Sequence, residues 1–158
     1  KVINFRKAES SDVYLYYSWL NDPLVRSQSF NSQLVEFNDH KNWFEKKLVN
    51  INCLMLIFFI DNNENIGQIR IEKEDLNSAI IGISIDSDYR GRGFSTNMLK
   101  LATNHFFESN PNFTINAFIK NENINSKFSF ENAGFKFYGL SMQNNINCLH
   151  YILNYENR

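Results

Sequence analysis

The chain has 158 residues, a length that suits one domain spanning 1–158 and allows a sizeable core. Apolar residues make up 43% of it, with 15 Phe and 7 Tyr, as is typical of folded globular proteins. The formal net charge is −1 and charges of both signs are interspersed, which argues against a nucleic-acid partner or an anionic membrane partner. The longest apolar run, Cys53 to Ile60, is far shorter than a membrane span, and no targeting segment is apparent.

The first third of the chain predicts one strand and two helices. Val2 to Lys7 alternates apolar and polar residues, as a strand does. Apolar residues at i, i+3, i+4 and i+7 then give a helix with one apolar face, which ends at Asn21-Asp22-Pro23. No period dominates from Leu24 to Glu36, so this stretch is predicted to be a loop, and loops often carry binding residues. A second helix is predicted from about Asn38 to Val49.

Three strands follow, joined by polar turns. Cys53 to Ile60 is a nearly continuous apolar run, and Ile66 to Glu72 alternates after a turn over residues 61–65. A further turn leads into an apolar strand from Ile80 to Ile85. We therefore predict an antiparallel meander. Its middle strand carries three polar side chains on one face, namely Gln68, Arg70 and Glu72.

The rest of the chain alternates between helices and strands. A helix is predicted up to about Glu108, a strand from Asn112 to Ile119, a helix from Asn123 to Ala133, and strands at Phe135–Leu140 and Cys148–Tyr155. The element order is β-α-α-β-β-β-α-β-α-β-β. This order predicts a mixed α/β fold with a mostly antiparallel sheet flanked by helices.

Cysteine and histidine usage gives no sign of a metal site. Cys53 and Cys148 fall in predicted strands and are expected to be buried free thiols, consistent with a reducing cytoplasm. His40, His105 and His150 are scattered along the chain, so no metal site is predicted.

A glycine-rich turn, Tyr89 to Ser95, lies between the apolar strand and the helix that follows it. Gly91 and Gly93 allow the backbone to curve tightly and to approach a ligand closely. An anion is favoured at such a helix start, where N–H groups lack partners, and Arg90 and Arg92 add positive charge. The dinucleotide fingerprint and the nucleotide triphosphate loop both need residues that are absent here. The turn therefore predicts a diphosphate site, although Gly-x-Gly alone also fits an ordinary strand-to-helix turn.

Three motifs in the expected order resemble the GNAT superfamily of acetyl-CoA-dependent N-acetyltransferases. Arg90 to Ser95 is similar to the family's Arg/Gln-x-x-Gly-x-Gly/Ala signature, with the hydroxyl of Ser95 as a candidate helix cap. Gly82 to Tyr89 resembles the family's fourth strand, and Asn121 to Phe135 resembles its late helix ending in Gly-Phe. The element order is the GNAT order, so the resemblance covers essentially the whole chain.

The resemblance implies a site for acetyl-CoA. In this family the fourth and fifth strands part at one end, which frees backbone groups of the fourth strand to hold the pantetheine arm and the thioester oxygen. The positions of this chain that match are Ile83, Ser84, Ile85, Arg90, Gly91, Arg92, Gly93, Phe94, Ser95 and Asn123. A helix cap is the alternative role for Asn123.

Two positions depart from the catalytic pattern of the family. Phe130 stands where many relatives carry a tyrosine acid, and Ile80 stands where some carry a carboxylate base. A thiol with a pKa of about 8.5 can leave without a strong acid, so positioning alone can sustain transfer. His40 and Glu72 are the candidate bases, with a packed histidine and a solvated strand end as the alternative interpretations.

The acceptor is inferred from residues 19–44. They resemble GNAT domains of bacterial pathways to pseudaminic and legionaminic acid-type sugars, which are sometimes fused to a partner enzyme. The resemblance implies acetyl transfer to the amine of a nucleotide-linked deoxy amino sugar. Arg26 and Arg70 are candidates to bind an acceptor phosphate, and Asn31, in the same polar loop as Arg26, is a further candidate substrate-binding residue. The candidates for the sugar or base pocket are Phe30, Trp43 and Phe44.

Several alternatives stay open at this point. Ribosomal-protein N-terminal acetyltransferases share a similar Asn-Asp-Pro opening and form the second substrate class. A non-catalytic acyl-CoA-binding domain is favoured by Phe130 and Ile80. A plain interaction module would show no change in melting temperature with coenzyme A. A homodimer and a fused or pathway partner enzyme are further expectations.

Overall fold

Strands and helices account for most of residues 1–157, the part of the chain that the computed structural model describes. The strands are β1 Ile3–Lys7, β2 Cys53–Ile60, β3 Glu64–Lys73, β4 Ser78–Ile85, β5 Thr114–Lys120, β6 Lys136–Gln143 and β7 Ile146–Asn154. The helices are α1 Val13–Leu20, α2 Pro23–Gln28, α3 Phe37–Val49, α4 Phe94–Ser109 and α5 Ile124–Asn132. Short 3-10 turns lie at Ser10–Asp12, Ser87–Tyr89 and Tyr155–Asn157.

The strands form one sheet in the order β1-β2-β3-β4-β5-β7-β6. Every neighbouring pair is antiparallel except β4 and β5, which run parallel. That parallel pair joins only from Ser78↔Thr114 to Ile80↔Asn116, whereas β4 remains paired with β3 as far as Ile85. The mixed, mostly antiparallel α/β fold is therefore as predicted, and β4 and β5 part beyond Ile80.

Two apolar cores cover the two faces of the sheet. Along β2, Leu56 and Phe58 belong to the core that includes α4 and α5, while Ile57 belongs to the core formed with α1 and α3. All three are almost completely buried, and Phe44 from α3 is 0% exposed. Burial on both faces explains why β2 reads as a continuous apolar run rather than an alternating one. Burying each such side chain contributes about 1.5–3 kcal/mol.

Helix α2 corrects the prediction of a loop from Leu24 to Glu36. The carboxylate of Asp22 accepts hydrogen bonds from the N–H groups of Leu24 and Val25, and Pro23 occupies the first helical turn. Both residues are favoured at a helix start, so the sequence signal that ends α1 also begins α2. The loop prediction holds for residues 29–36, which contain neither helix nor strand.

The remaining elements were predicted with small shifts at their ends. Strand β3 begins at Glu64, inside the predicted turn, because Asp61 and Asn63 adopt positive φ angles and complete the reversal early. Cys148 is buried and Cys53 half-buried, and both are free thiols. Of the helices in the described part of the chain, none is long and apolar enough to cross a membrane.

Candidate active site

A cleft of about 750 Å³ opens at the point where β4 and β5 part. Its walls come from α1, α2 and α3, from the central strands, and from the segment that leads into α4. The predicted site residues all line this cleft except Asn31, Phe44, Glu72 and Arg92. Phe44 is instead fully buried in the core formed with α1 and α3. The fold thus gathers residues that are spread over more than half of the chain.

The turn that precedes α4 has the backbone geometry that an anion site needs. Gly91 and Gly93 have φ angles of +69° and +80°, a left-handed conformation that side chains other than glycine's rarely adopt. Gly93 is the N-cap of α4, and no side chain in the described part of the chain caps this helix. Within residues 1–157, the amides of Gly93, Phe94 and Ser95 have no acceptor from a turn, loop or cap. These amides are therefore available to a bound anion.

Arg90 anchors this turn to the rest of the cleft. Its Nη2 donates to Oδ1 of Asp22 at 2.8 Å, and its Nε donates to the carbonyl of Ile85 at 3.2 Å. Burial acts to raise the pKa of Asp22, but the hydrogen bonds from Arg90 and from backbone amides leave it below its ordinary value. Arg92 is exposed, and its guanidinium lies over the rings of Tyr89 and Phe94 at 5.2 and 5.5 Å. Arg90 thus has a structural role, whereas Arg92 contributes charge at the surface.

Ser95 lies at the start of α4 and Asn123 at the start of α5, and both line the cleft. The hydroxyl oxygens of Ser95 and Ser129 lie 2.6 Å apart, so Ser95 links α4 to α5 and does not cap α4 as predicted. Asn123 is the N-cap of α5, and its Oδ1 accepts from the amide of Ser126 at 3.3 Å. Because Asn123 also lines the cleft, a cap and a ligand contact are compatible in this geometry.

The parted end of β4 presents its last three residues to the cleft. Ile83, Ser84 and Ile85 pair with β3 on one side, and in the described chain no strand pairs with their other side. The hydroxyl of Ser84 accepts from Nε2 of Gln68 at 3.1 Å, which fixes that side chain. Unpaired strand edges offer backbone donors and acceptors to a ligand.

His40 is a buried neutral base in the cleft wall. It is 1% exposed, and its Nε2 lies 2.9 Å from the carbonyl oxygen of Val13. Because a carbonyl only accepts, Nε2 carries the hydrogen and Nδ1 keeps a lone pair. Nδ1 has no hydrogen-bond partner within residues 1–157. Burial lowers the pKa of His40, so the ring is neutral at pH 7 and Nδ1 can accept a proton or a hydrogen bond.

Glu72 does not join the other predicted site residues. It lies on β3 opposite Ile80, before β4 and β5 part, and it is absent from the cleft lining. Its carboxylate forms an ion pair with Lys47 on α3. The structure therefore places this candidate base in a salt bridge beside the cleft.

Arg26 braces the loop after α2. It is 8% exposed, and its guanidinium donates to four acceptors within residues 20–33, so little of the predicted phosphate fork is free. One of these acceptors is the carbonyl of Asn31, whose side chain accepts from the amide of Gln33. Phe30 lines the cleft, and its carbonyl accepts from Nδ2 of Asn144 at 2.9 Å.

Arg70, by contrast, donates no side-chain hydrogen bond within residues 1–157. Its Cζ lies 5.0 Å from the centre of the Trp43 ring, and its contact with a carboxylate is a long one, 3.9 Å from Nε to Glu72. Gly82 is its direct neighbour on β4, and a Cβ built at Gly82 would meet nothing within 4 Å. Arg70 therefore faces open space above the sheet.

Tyr16, Gly82 and Lys120 are among the cleft residues that the sequence did not mark as site candidates. Tyr16 lies within the predicted helix with one apolar face, and Gly82 lies in the motif that resembles the family's fourth strand. Lys120, 8% exposed, follows the predicted end of β5 and donates from Nζ to the carbonyl of Ser27 at 2.9 Å. For Lys120, the available sequence signal was its position directly after an apolar strand. The positions that depart from the family pattern, Ile80 and Phe130, also line the cleft.

The histidines do not form a metal centre in the described chain. His105 packs edge-on against Phe5, and Nε2 of His150 lies 2.7 Å from Oδ1 of Asn116. No group of three or more His, Cys, Asp or Glu side chains in residues 1–157 is arranged to hold a metal ion.

Comparisons with known proteins agree with this geometry. A family model described as an acetyltransferase (GNAT) domain matches residues 3–136. A search of curated proteins found no match. A solved structure of spermidine N-acetyltransferase from Vibrio cholerae, in complex with CoA and spermine, is similar with a TM-score of 0.89 and 16% identity, covering 98% of this chain and 96% of that one.

Two other similar structures were found. AAC(6')-Ib in complex with ribostamycin and coenzyme A gives a TM-score of 0.85 and 16% identity, covering 99% of this chain and 96% of that chain. A domain from Methanocaldococcus jannaschii gives a TM-score of 0.83 and 21% identity, covering 97% of this chain and 98% of that chain. At these identities the likeness shows the fold. The two neighbours with named ligands bind a polyamine and an aminoglycoside, and they lend no support to a nucleotide-sugar subfamily.

Proposed function

This chain belongs to the GNAT acetyltransferase family, and we propose that it transfers the acetyl group of acetyl-CoA to the amine of a small molecule. One observation carries the proposal. Beyond Ile80 the parallel strands β4 and β5 part, and the resulting cleft is continuous with the uncapped start of α4. Acetyl-CoA, when bound, supplies the activated acyl group as a thioester. Two of the solved neighbours contain CoA in the same fold.

The residues present fit the coenzyme. The amides of Gly93, Phe94 and Ser95 would hold its diphosphate, and a Cβ at Gly91 or Gly93 would project into open space. The free edge of β4 over residues 83–85 would hold the pantetheine arm through backbone hydrogen bonds. Arg92 would add long-range attraction for the phosphates from the surface. Asn123 would contact the coenzyme from the cap of α5.

Proton transfer is assigned to His40. The attacking amine must be neutral and must lose one proton as its nitrogen bonds to the acyl carbon. Nδ1 of His40 is an unpaired, neutral acceptor in the cleft wall, which suits this step. Phe130 supplies no acid, so the departing thiolate takes its proton from solvent, as its moderate basicity allows.

The charges that line the cleft favour an acceptor that carries negative charge. Arg26, Arg70 and Lys120 line it together with Arg90, whose charge is paired with Asp22, whereas Asp39 is the one carboxylate among its lining residues in the described chain. A polycation such as spermidine would therefore meet charge of the same sign. The proposed acceptor is the amine of a nucleotide-linked deoxy amino sugar, whose diphosphate complements this excess.

A panel of acceptors tests the proposal. Free thiol is measured with acetyl-CoA and, in turn, UDP- and dTDP-linked amino sugars, spermidine, kanamycin, and peptides that begin with Ala or Ser. We expect release with a nucleotide-linked amino sugar. Faster release with spermidine or kanamycin would contradict the proposed acceptor, and release with the peptides alone would favour the ribosomal class. Coenzyme binding without release for any amine would make the chain a binding domain.

A further inference from the structure

Four residues at the α1 and α3 side of the cleft form what we call the Arg70 subsite, namely Tyr16, His40, Trp43 and Arg70. They are linked through aromatic contacts. The ring centres of Tyr16 and Phe44 lie 4.8 Å apart, those of Phe44 and His40 5.8 Å, and those of His40 and Trp43 6.2 Å. The guanidinium of Arg70 lies over the Trp43 ring at 5.0 Å. The subsite is therefore a packed surface with a cation at its edge.

Unpaired polar atoms are concentrated in this subsite. In residues 1–157, the buried side-chain polar atoms without a hydrogen-bond partner are Oη of Tyr16 and Nδ1 of His40. Tyr16 is 5% exposed and His40 1% exposed. Leaving such atoms unpaired is unfavourable, so a pair of them in a cleft wall points to a ligand that completes their hydrogen bonds.

The chemistry of the three polar groups defines the ligand. Arg70 offers a planar fork of N–H donors that matches a carboxylate or a phosphate, and stacking on Trp43 holds that fork in place. Burial raises the pKa of Tyr16 well above its ordinary value, so its hydroxyl stays protonated and can donate. Nδ1 of His40 only accepts, so it requires an N–H or O–H of the ligand.

There is room for such a ligand next to the reacting end of the cleft. Gly82 lies directly opposite Arg70 in the β3–β4 register and therefore faces the same side of the sheet. A side chain at that position would meet open space. The space extends from Arg70 towards the parted ends of β4 and β5, where the acyl group would lie.

On the basis of the proposed function, we propose that the Arg70 subsite binds an anionic group of the acceptor, a phosphate or a carboxylate, through Arg70 and Tyr16. The N–H of the acceptor amine then meets Nδ1 of His40, the atom to which proton transfer is assigned under the proposed function. An acceptor with its amine near an anionic group is held at two points, which directs the amine towards the acyl group. Specificity for the acceptor thus depends on residues outside the coenzyme site.

Binding of matched probes to the coenzyme A complex tests this inference. Saturating coenzyme A fills the diphosphate site, and its own affinity is measured first on the same sample. Calorimetric titration then compares UDP with uridine, for the phosphate source, and N-acetylalanine with N-acetylalaninamide, for the carboxylate source. In at least one pair we expect the anion to bind about tenfold more tightly than its neutral analogue. The pair that shows the difference identifies the source of the anion.

Variants test whether the preference for the anion over its neutral analogue arises at the Arg70 subsite. Arg70→Gln should abolish this preference. Arg70→Lys keeps the charge but lacks the planar fork, so it should retain only part of the preference. Lys46→Gln, on the exposed side of α3, should leave it unchanged. Tyr16→Phe should weaken anion binding about threefold or more, and because its hydroxyl has no partner in the described chain the variant should fold.

The possible failures are distinguishable. Loss of coenzyme A binding by the wild-type protein would overturn the proposed function, and this inference with it. Normal coenzyme affinity without a preference for either anion would overturn the inference alone. A preference that survives unchanged in both Arg70→Gln and Tyr16→Phe would also overturn it, because the anion would then bind elsewhere.

Discussion

Gly93 is the residue at which the proposed diphosphate site is tested most directly. A Gly93→Asp variant places a carboxylate beside the uncapped amides of α4, where the diphosphate is proposed to bind. Gly93→Asn is the matched control, because it has nearly the same shape, tolerates the left-handed backbone equally well and carries no charge. We expect the aspartate variant to bind coenzyme A at least about tenfold more weakly than the asparagine variant in a calorimetric titration. Equal affinities would contradict a diphosphate site at this turn.

His40 should make the stability of the protein depend on pH. Burial lowers its pKa in the folded state from the ordinary value of 6.5, so as the pH falls the unfolded chain takes up a proton first. The free energy of unfolding should therefore decrease as the pH falls below about 6.5, by at most about 1.4 kcal/mol per pH unit for this group.

The contribution of His40 is separable by mutation. His40→Gln keeps a donor for the carbonyl of Val13 and removes the titration. Urea unfolding between pH 7 and pH 5 should show a shallower slope for this variant than for the wild type. Part of the slope should remain, because burial also lowers the pKa of His150. Identical slopes would mean that His40 titrates normally in the folded protein.

At the scale of elements, α2 depends on one carboxylate. Asp22 accepts from two amides at the start of α2 and from Arg90, so it joins this helix to the turn that begins α4. Asp22→Ala should lower the free energy of unfolding by about 1–2 kcal/mol through loss of the cap. Asp22→Asn keeps a cap acceptor and loses the charge, so it should cost less. Urea unfolding of the two variants checks the order, and an equal loss would leave the cap without a measurable role.

The same residue shows the limit of what the sequence predicts about elements. Most strands and helices followed from hydrophobic period and turn residues, since β2 and α4 are long and strongly patterned. The loop prediction was wrong at α2 because this helix has six residues, too few for a hydrophobic period to appear. In addition, Asp22-Pro23 suits both the end of one helix and the start of the next. A local capping signal therefore does not show whether it ends the preceding helix or begins the following one.

The site, too, could be predicted from the sequence only in part. Backbone features such as the glycines of the turn and the parting of β4 from β5 follow from local sequence and from the family order. Side-chain roles depend on partners that are distant in sequence. Arg90 and Asp22 are 68 positions apart, and Nε1 of Trp19 donates to Asp86 across 67 positions. For the same reason the salt bridge of Glu72 with Lys47 was not predictable from its neighbours. The bonds of Arg26 are local, but they depend on the short helix α2, which the sequence pattern did not predict.

At the scale of the whole molecule, the cleft lies where the two cores meet around the parted strands. The proposed acceptor wall belongs to α1 and α3 on one face of the sheet, while the proposed coenzyme turn begins α4, which packs on the other face. The bonds from Trp19 to Asp86 and from Arg90 to Asp22 tie the two sides together. A ligand that fills the cleft should therefore stabilise both cores at once.

This coupling predicts how coenzyme A acts on global stability. A ligand that binds only the folded state at about 100 times its dissociation constant adds about 2.7 kcal/mol to the free energy of unfolding. Urea unfolding of the wild-type protein should show this increase as a single transition, since both cores contact the cleft. Gly93→Asp measured at the same concentration of coenzyme A should gain about half as much or less, whereas Gly93→Asn should gain more than the aspartate variant. An increase confined to one of two separate transitions would show that the cores unfold independently, and no increase at all would favour an interaction module without a coenzyme.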